Sequence, residues 1–251
     1  MKNHIHYPQT TSTNTLIKDL LCDNPSLPNM LVVSAGYQTS GRGQRENIWE
    51  SEQNKNLLFS ILFRPEKLSA KDAFAISRIV SVAIAGWLSK YVGNIAIKWP
   101  NDIYSGDKKI CGILIENSIM GTNLSCSIVG VGININQTEF SEKLPNPTSI
   151  AKETGKSYNI DNMLSEVLVK MEEQYNHYFN GGEEDINTKY HNLLYRLNIK
   201  AKYKIQSSKQ LSENEIVDAT IIGVRSNGCL ILKHTDCKIN TYAFKEVQFV
   251  L

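Results

Sequence analysis

The chain has 251 residues, 27 of them lysine or arginine and 25 aspartate or glutamate, enough for one large domain, or one of roughly 190 residues with a small one attached. So close a balance excludes the broad basic field that nucleic acid or an acidic membrane surface selects, and any anion must be bound locally. Five scattered cysteines (Cys22, Cys111, Cys126, Cys229, Cys237) without a C-x-x-C pair argue against a disulfide framework or a zinc site, and the absence of a signal-like N-terminus or a long apolar run predicts a soluble cytoplasmic protein.

Residues 4 to 8 read as a short strand, and TTSTNT at 10 to 15 leads into TNTLIKDLLCD, whose apolar spacing predicts a helix. Ser12, Thr13 and Asn14 have two readings, a helix cap or donors and acceptors aimed at a ligand, and the segment alone favours the cap. LVVSAGYQ at 31 to 38 is a buried strand that runs into GYQTSGRGQRENIW at 36 to 49. There Gly41 and Gly43 flank Arg42, Arg45 follows, and Trp49 closes the run. Little apolar periodicity and much backbone freedom make this a loop suited to wrapping an anion, at a strand end where ligand sites often lie.

NLLFSILFRP at 56 to 65 is a strand ended by Pro65, and residues 69 to 92 have the spacing of a long helix buried along one face. NIAIKWPNDIYS at 94 to 105 and KKICGILIENS at 108 to 118 read as two strands joined through SGDKK, and residues 124 to 136 as a further strand. Strands adjacent in sequence after a helix predict an α+β domain, a mixed or antiparallel sheet covered by helices. Residues 137 to 160, polar and with two prolines, read as a long ordered loop bordering the site. A helix capped by Asp161 follows over 161 to 179, then a second one after Gly181 and Gly182 to about Tyr195. Five short strands over 199–205, 214–224, 228–233, 239–243 and 246–250 predict a small all-β module, with 207–215 as an exposed hairpin tip. The expected division is 1–195 and 196–251.

Three further stretches carry chemistry. In KWPND at 98 to 102, Pro100 fixes φ and removes a donor, and Asn101 and Asp102 follow; the run is either a turn or a functional corner. Lys109 stands at the start of a strand, an ordinary edge charge unless an anion lies beside it. VGVGININ at 129 to 136 places Gly130 and Gly132 inside a strand, which weakens the strand unless something approaches its backbone. The run fails the dinucleotide fingerprint because Ile135 stands where a third glycine is required, no phosphate-loop motif occurs, and the five histidines lack metal spacing. Asn134 and Asn136 are turn residues or ligand contacts.

The ordered set T-S-T-N-T, G-Y-Q-T-S-G-R-G-Q-R-x-x-x-W, K-W-P-N-D-I-Y, K-K-I-C-G-I-L-I-E and G-V-G-I-N-I-N resembles the biotin protein ligases, and the resemblance runs from about residue 8 to the C-terminus. It implies a mixed central sheet flanked by helices, of the class II aminoacyl-tRNA synthetase and biotin ligase type, with a C-terminal SH3-like barrel. It also implies an activity: biotin and ATP give biotinoyl-5′-AMP, and the biotinoyl group passes to one lysine of a biotin carboxyl carrier domain. By the same resemblance Ser12, Thr13, Gln38, Gly41, Arg42, Lys109, Gly112, Gly130 and Gly132 are the expected biotin contacts. Asn14, Arg42, Gln44, Arg45, Trp49, Asn101, Lys109 and Asn134 are the expected ATP or adenylate contacts. Lys109, Arg42 and Asp102 are the expected catalytic groups.

The chemistry fits those residue types. A carboxylate and a triphosphate must be brought together, which needs positive groups and exclusion of water. Arginine offers a planar fork and lysine a point charge, and Mg²⁺, for which no protein-ligand motif occurs, would be held mainly by the ATP phosphates. Asp102 is left with three roles open, toward metal, water or the incoming lysine's proton. The loop departs from the family's usual G-R-G-R-x-G-R-x-W at Gln44, Glu46 and Asn47, so its hold on an adenylate is expected to be weaker in charge. Some relatives carry a DNA-binding segment, but motifs that begin near residue 10 and a near-neutral charge make DNA binding unexpected, and monomer and homodimer stay open. The alternatives are a lipoate or octanoyl ligase, whose arginine-glycine signature is not present, and a non-catalytic biotin-binding module.

Overall fold

The computed structural model describes residues 3–44, 47–206 and 214–250. Its main sheet is built from β1 (His4–Tyr7), β2 (Leu31–Ala35), β3 (Leu57–Phe63), β4 (Ile95–Lys98), β5 (Asp102–Ser105), β6 (Lys108–Met120) and β7 (Asn123–Ile133). They lie in the order β1-β2-β3-β7-β6-β5-β4. Only the β1–β2 pair is parallel; the others are antiparallel. The expected mixed sheet is present, with its parallel character confined to one edge.

Among the described residues five α-helices accompany it: α1 (Thr13–Asp23), α2 (Phe74–Leu88), α3 (Ile150–Thr154), α4 (Ile160–His177) and α5 (Glu183–Asn192). The apolar runs LVVSA and LLFSILF are buried along their whole length because both faces of the sheet are covered. Strand alternation then divides the core in two. Leu31, Val33, Leu62 and Ile128 cluster with Ile17 of α1, while Val32, Ile61, Phe63 and Val129 join the larger cluster that includes α2 and α4. Helix α1 packs mainly on β2, β3 and β7. The same face farther on, over β7 and β6, is therefore free for the 36–49 loop, and the site forms there.

Four expectations change. α2 is buried on all sides, not along one face, since thirteen of its fifteen residues are buried between the sheet, α4 and α5; its alanines and serines permit that close approach. The 94–105 run is two strands, broken at Trp99–Pro100 into a β4–β5 hairpin, so the turn reading of KWPND holds. The 137–160 segment contains α3, capped by the Ser149 side chain, which accepts from Lys152 N–H. The cap of α4 is Asn159, accepting from Asn162 N–H, not Asp161.

The C-terminal strands β8 (Lys200–Gln206), β9 (Asn214–Val224), β10 (Leu230–His234), β11 (Ile239–Tyr242) and β12 (Val247–Phe249) form an antiparallel sheet in the order β11-β10-β9-β8-β12. Residues 207–213 of the expected hairpin tip lie outside the described residues. This sheet is seated on the first by apolar contact and by a hydrogen bond. Tyr203, Leu230 and Leu232 belong to the same cluster as α2, and Trp99 Nε1 donates to the Gly228 carbonyl at 2.9 Å. A Cβ at Gly228, where φ is +90°, would lie 2.5 Å from the Phe74 ring, so only glycine fits that seam.

Candidate active site

The floor of the site is β6 beside β7. Gly112 faces Gly132 and Leu114 faces Gly130 in the antiparallel register, and residues two apart share a face. What those glycines admit is specific. A Cβ at Gly132 would lie 2.3 Å, and one at Gly112 2.6 Å, from carbons of the Trp49 indole; one at Gly130 would lie 2.4 Å from Asn14 Oδ1. The expected biotin contacts Gly112 and Gly132 thus carry the Trp49 ring, and Gly130 carries the Asn14 amide. The indole Nε1 is buried without a hydrogen-bond partner.

The roof is the described part of the 36–49 segment, where residues 41–43 pair with 47–49 as in a hairpin rather than forming a shapeless loop. Gly43 N–H donates to the Asn47 carbonyl at 2.7 Å and Trp49 N–H to the Gly41 carbonyl at 2.9 Å. Gly41 is needed because a Cβ there would meet the Trp49 carbonyl at 2.5 Å. Arg45 and Glu46 lie outside the described residues, so the part expected of Arg45 has no structural account.

At the start of α1 the favoured cap reading fails for Ser12, which occupies the N-cap position without a side-chain cap bond. Gln38 takes that role from the loop, its Oε1 accepting from Thr13 N–H at 2.8 Å and Thr13 Oγ1 at 3.1 Å. Ser12, Thr13 and Asn14 are buried, and Ser60 Oγ of β3 lies 2.7 Å from Thr13 Oγ1 and 2.6 Å from Asn14 Oδ1. Ser12, Thr13 and Asn14, with Arg42, Gln44 and Trp49, border a slot of about 130 Å³.

Lys109 stands at the slot's end. Its Nζ lies 2.6 Å from Asp102 Oδ2 and 5.8 Å from the Trp49 ring centre. Its backbone is held by the 137–160 segment, since Lys109 N–H donates to the Asn146 carbonyl and Thr148 N–H to the Lys109 carbonyl. That segment therefore does border the site. Beyond Lys109 and Trp49 opens a second cavity of about 530 Å³, walled by Tyr104, Phe140, Leu144 and Pro147 and reached by Asn134. Asn134 Nδ2 donates to the Thr148 carbonyl at 2.9 Å, leaving its Oδ1 buried and unpartnered. Trp49 and Lys109 line both spaces and form the partition between a narrow slot and a wider, mostly apolar chamber.

Four expected adenylate contacts, Asn14, Arg42, Gln44 and Asn101, lie apart from that chamber. Asn101 is buried and accepts from Gln44 Nε2 at 3.0 Å, and both border a separate groove between α2 and the C-terminal sheet. Asn14 belongs to the slot. One site residue was named in the sequence only as part of a strand: Glu116 accepts from Lys18 Nζ at 2.7 Å, Asn14 Nδ2 at 2.8 Å and Arg42 Nη2 at 3.1 Å. The only sequence signal for it was its even spacing from Gly112 on β6. Among the described residues no group of three or more His, Cys, Asp or Glu side chains could hold a metal ion, and no helix is long and apolar enough to cross a membrane.

Comparison with known proteins gives the fold and the family. The biotin protein ligase from Aquifex aeolicus in complex with biotin and ATP superposes on the whole chain, covering 100% of both, with a TM-score of 0.80 at 23% identity; that likeness establishes the fold. The bifunctional ligase/repressor BirA of Bacillus subtilis is 28% identical over 186 residues, 72% of this chain and 57% of its own length. The biotin--[acetyl-CoA-carboxylase] ligase of Paracoccus denitrificans is 29% identical over 163 residues, 62% of this chain and 66% of its own. The chain thus spans little more than half the length of the BirA relative. The model of the Biotin/lipoate A/B protein ligase family matches residues 7–134, which contain the slot, the hairpin roof, Asp102 and Lys109, and the chain belongs to that family.

Proposed function

We propose that this chain is an ATP-dependent biotin protein ligase. In the first half-reaction a carboxylate oxygen of biotin attacks the α-phosphorus of ATP, the bond to the β-phosphate oxygen breaks, and biotinoyl-5′-AMP and pyrophosphate result. In the second the amine of a carrier-domain lysine attacks the acyl carbon, AMP leaves, and the amine loses a proton. The observation that carries the reading is the partition: Lys109 stands between a narrow polar-lined slot and an apolar chamber, where a carboxylate from one side and a phosphate from the other would meet.

The residues divide accordingly. Ser12, Thr13, Gln38 and the glycine-floored slot suit the ureido ring and bicycle, a small apolar body with a few polar groups. At about 130 Å³ the slot is smaller than the roughly 300 Å³ at which ligand pockets begin, so the Trp49 indole must shift off Gly112 and Gly132 for biotin to enter. The chamber suits adenine, with the unpartnered Asn134 Oδ1 as acceptor for its amino group. Arg42 and Lys109 would stabilise charge developing on the phosphorus oxygens. Mg²⁺ fits only as a passenger of the nucleotide, because Asp102 and Glu116 are engaged with cations; bound there it would neutralise phosphate charge. Asp102, paired with Lys109, would hold that ammonium and accept the incoming lysine's proton.

A catalytic unit over 1–195 and an SH3-like unit over 196–251, a biotin carboxyl carrier domain as acceptor and a cytoplasmic location complete the proposal. The test is incubation with biotin, ATP, Mg²⁺ and a carrier domain, read by intact mass. Addition of one biotinoyl group to one lysine supports the reading; modification with lipoate in place of biotin, or biotin binding without transfer, contradicts it.

A further inference from the structure

Arg42 lies on a hairpin with glycine on either side, and a long side chain in that position has no intrinsic reason to aim at the slot. Its partner is on the floor. Glu116 follows Gly112 and Leu114 at every second position of β6, on the site face of the strand. Both of its oxygens are engaged: Oε1 accepts from Lys18 Nζ at 2.7 Å, and Oε2 from Asn14 Nδ2 at 2.8 Å and Arg42 Nη2 at 3.1 Å. The three donors come from α1 and from the roof, so one carboxylate joins helix, hairpin and sheet. Lys18 and Asn14 fix the carboxylate from the helix side, and Asn14 is itself fixed by Ser60 and by contact with Gly130. The guanidinium has five N–H donors, and one Nη meets Glu116 while the side chain also borders the slot.

An exposed arginine–glutamate pair is ordinarily a weak surface contact. This one differs in having an acceptor immobilised by two further donors on the floor of the site. We infer that Glu116 is a positioning residue for adenylation: it holds Arg42 at the rim of the slot so that the free edge of the guanidinium meets the reacting carboxylate and α-phosphate. The inference rests on the ligase reading. With Lys18 and Arg42 sharing one carboxylate, the rim keeps a net positive charge for the anions while Arg42 keeps a single direction. Burial alone would raise the Glu116 carboxyl pKa, but the hydrogen bonds from Lys18 and Asn14 and the charge of Arg42 outweigh it and hold the group below the usual carboxylate range, so it is ionised in the pH range of the assay.

The experiment is a double-mutant cycle on biotin-dependent pyrophosphate exchange with wild type, Glu116→Gln, Arg42→Lys and the double variant, with thermal melts of all four. Lysine keeps a charge on the roof but lacks the two-edged fork. Glu116→Gln is expected to lower kcat/KM about tenfold, mainly through KM for biotin, with the melting temperature nearly unchanged. In the Arg42→Lys background the same change is expected to cost less than about twofold. A Glu116→Gln enzyme that matches wild type, or one whose loss is equally large in both backgrounds, overturns the inference and leaves the ligase reading intact. A wild-type chain with no biotin-dependent exchange removes the ligase reading and the inference with it.

Discussion

Lys109 Nζ sits 2.6 Å from Asp102 Oδ2, and the two residues come from adjacent strands of one hairpin, β5 and β6. The pair is partly exposed, with 31% and 24% of the respective side chains accessible, so its worth as a salt bridge is small. Its placement matters more, because the ammonium stands at the end of the slot, where the chamber begins. Replacing Lys109 by alanine removes a positioned charge from the developing transition state, a loss of roughly 3 kcal/mol, or about two orders of magnitude in rate. Pyrophosphate exchange should fall by that amount while the thermal melt stays close to wild type. Near-normal exchange in this variant removes Lys109 from the mechanism.

The contact of Gly132 with Trp49 gives a second prediction. A methyl group at Gly132 would lie 2.3 Å from the indole, and the ring must move to admit it. Gly132→Ala should destabilise the fold by about 1–3 kcal/mol, as overpacking of a filled site does. Urea unfolding measures that cost, and tryptophan emission reports the displaced ring. Unchanged emission together with unchanged stability would show that the indole does not rest on this glycine.

Gln44 donates to Asn101 Oδ1 at 3.0 Å, so the roof is tied to the KWPND turn by a neutral hydrogen bond. Gln44→Arg adds a cation to the roof, and a charge-assisted bond to the adenylate phosphate is about twice as strong as a neutral one. Release of biotinoyl-5′-AMP should be slower in the variant than in wild type by severalfold. Indistinguishable release rates would count against the view that the roof of this chain holds its intermediate loosely.

Lys98 supplies a prediction in pH. Its ammonium donates to the Tyr104 hydroxyl at 3.0 Å and lies over the Tyr104 and Phe249 rings. Burial lowers its pKa from 10.5 to about 8, with Lys109 and Arg196 acting in the same direction and Asp102 opposing. Between those two values the unfolded chain binds more protons than the folded one, so this group makes stability rise with pH across the window. Wild type should gain stability relative to Lys98→Met between about pH 7.5 and 9.5, by an amount on the order of 1 kcal/mol. Staying below the tyrosine range matters, because burial raises the pKa of Tyr91, Tyr178 and Tyr203 to about 12 each, and their contribution is lost as pH rises above their usual value. A difference that does not vary with pH would mean that Lys98 is not desolvated.

Much of this arrangement is legible in the residues alone. Gly130 and Gly132 are poor strand formers, and that cost already pointed to something lying against the strand; the surprise is that in this structure it is Trp49 and Asn14 of the same chain. KWPND read as a turn because proline, asparagine and aspartate make turns, and it is the β4–β5 turn. The polar start of α1 misled, since Ser12 has the composition of a cap while Gln38, distant in sequence, does the capping. Glu116 was not legible for the same reason: its partners Asn14, Lys18 and Arg42 lie 102, 98 and 74 residues away, and no local pattern records contacts of that range. α3 was missed because five residues are too few to show helical periodicity.

In the proposed reaction Lys109 and its surroundings join the carboxylate of biotin to the α-phosphate of ATP. Biotin-dependent exchange of labelled pyrophosphate into ATP measures that step directly, without an acceptor protein. Exchange is expected with biotin and Mg²⁺ in the wild type, none without biotin, and about a hundredfold less in Lys109→Ala. Exchange that is absent from the wild type, that runs equally well without biotin, or that persists undiminished in Lys109→Ala would contradict it.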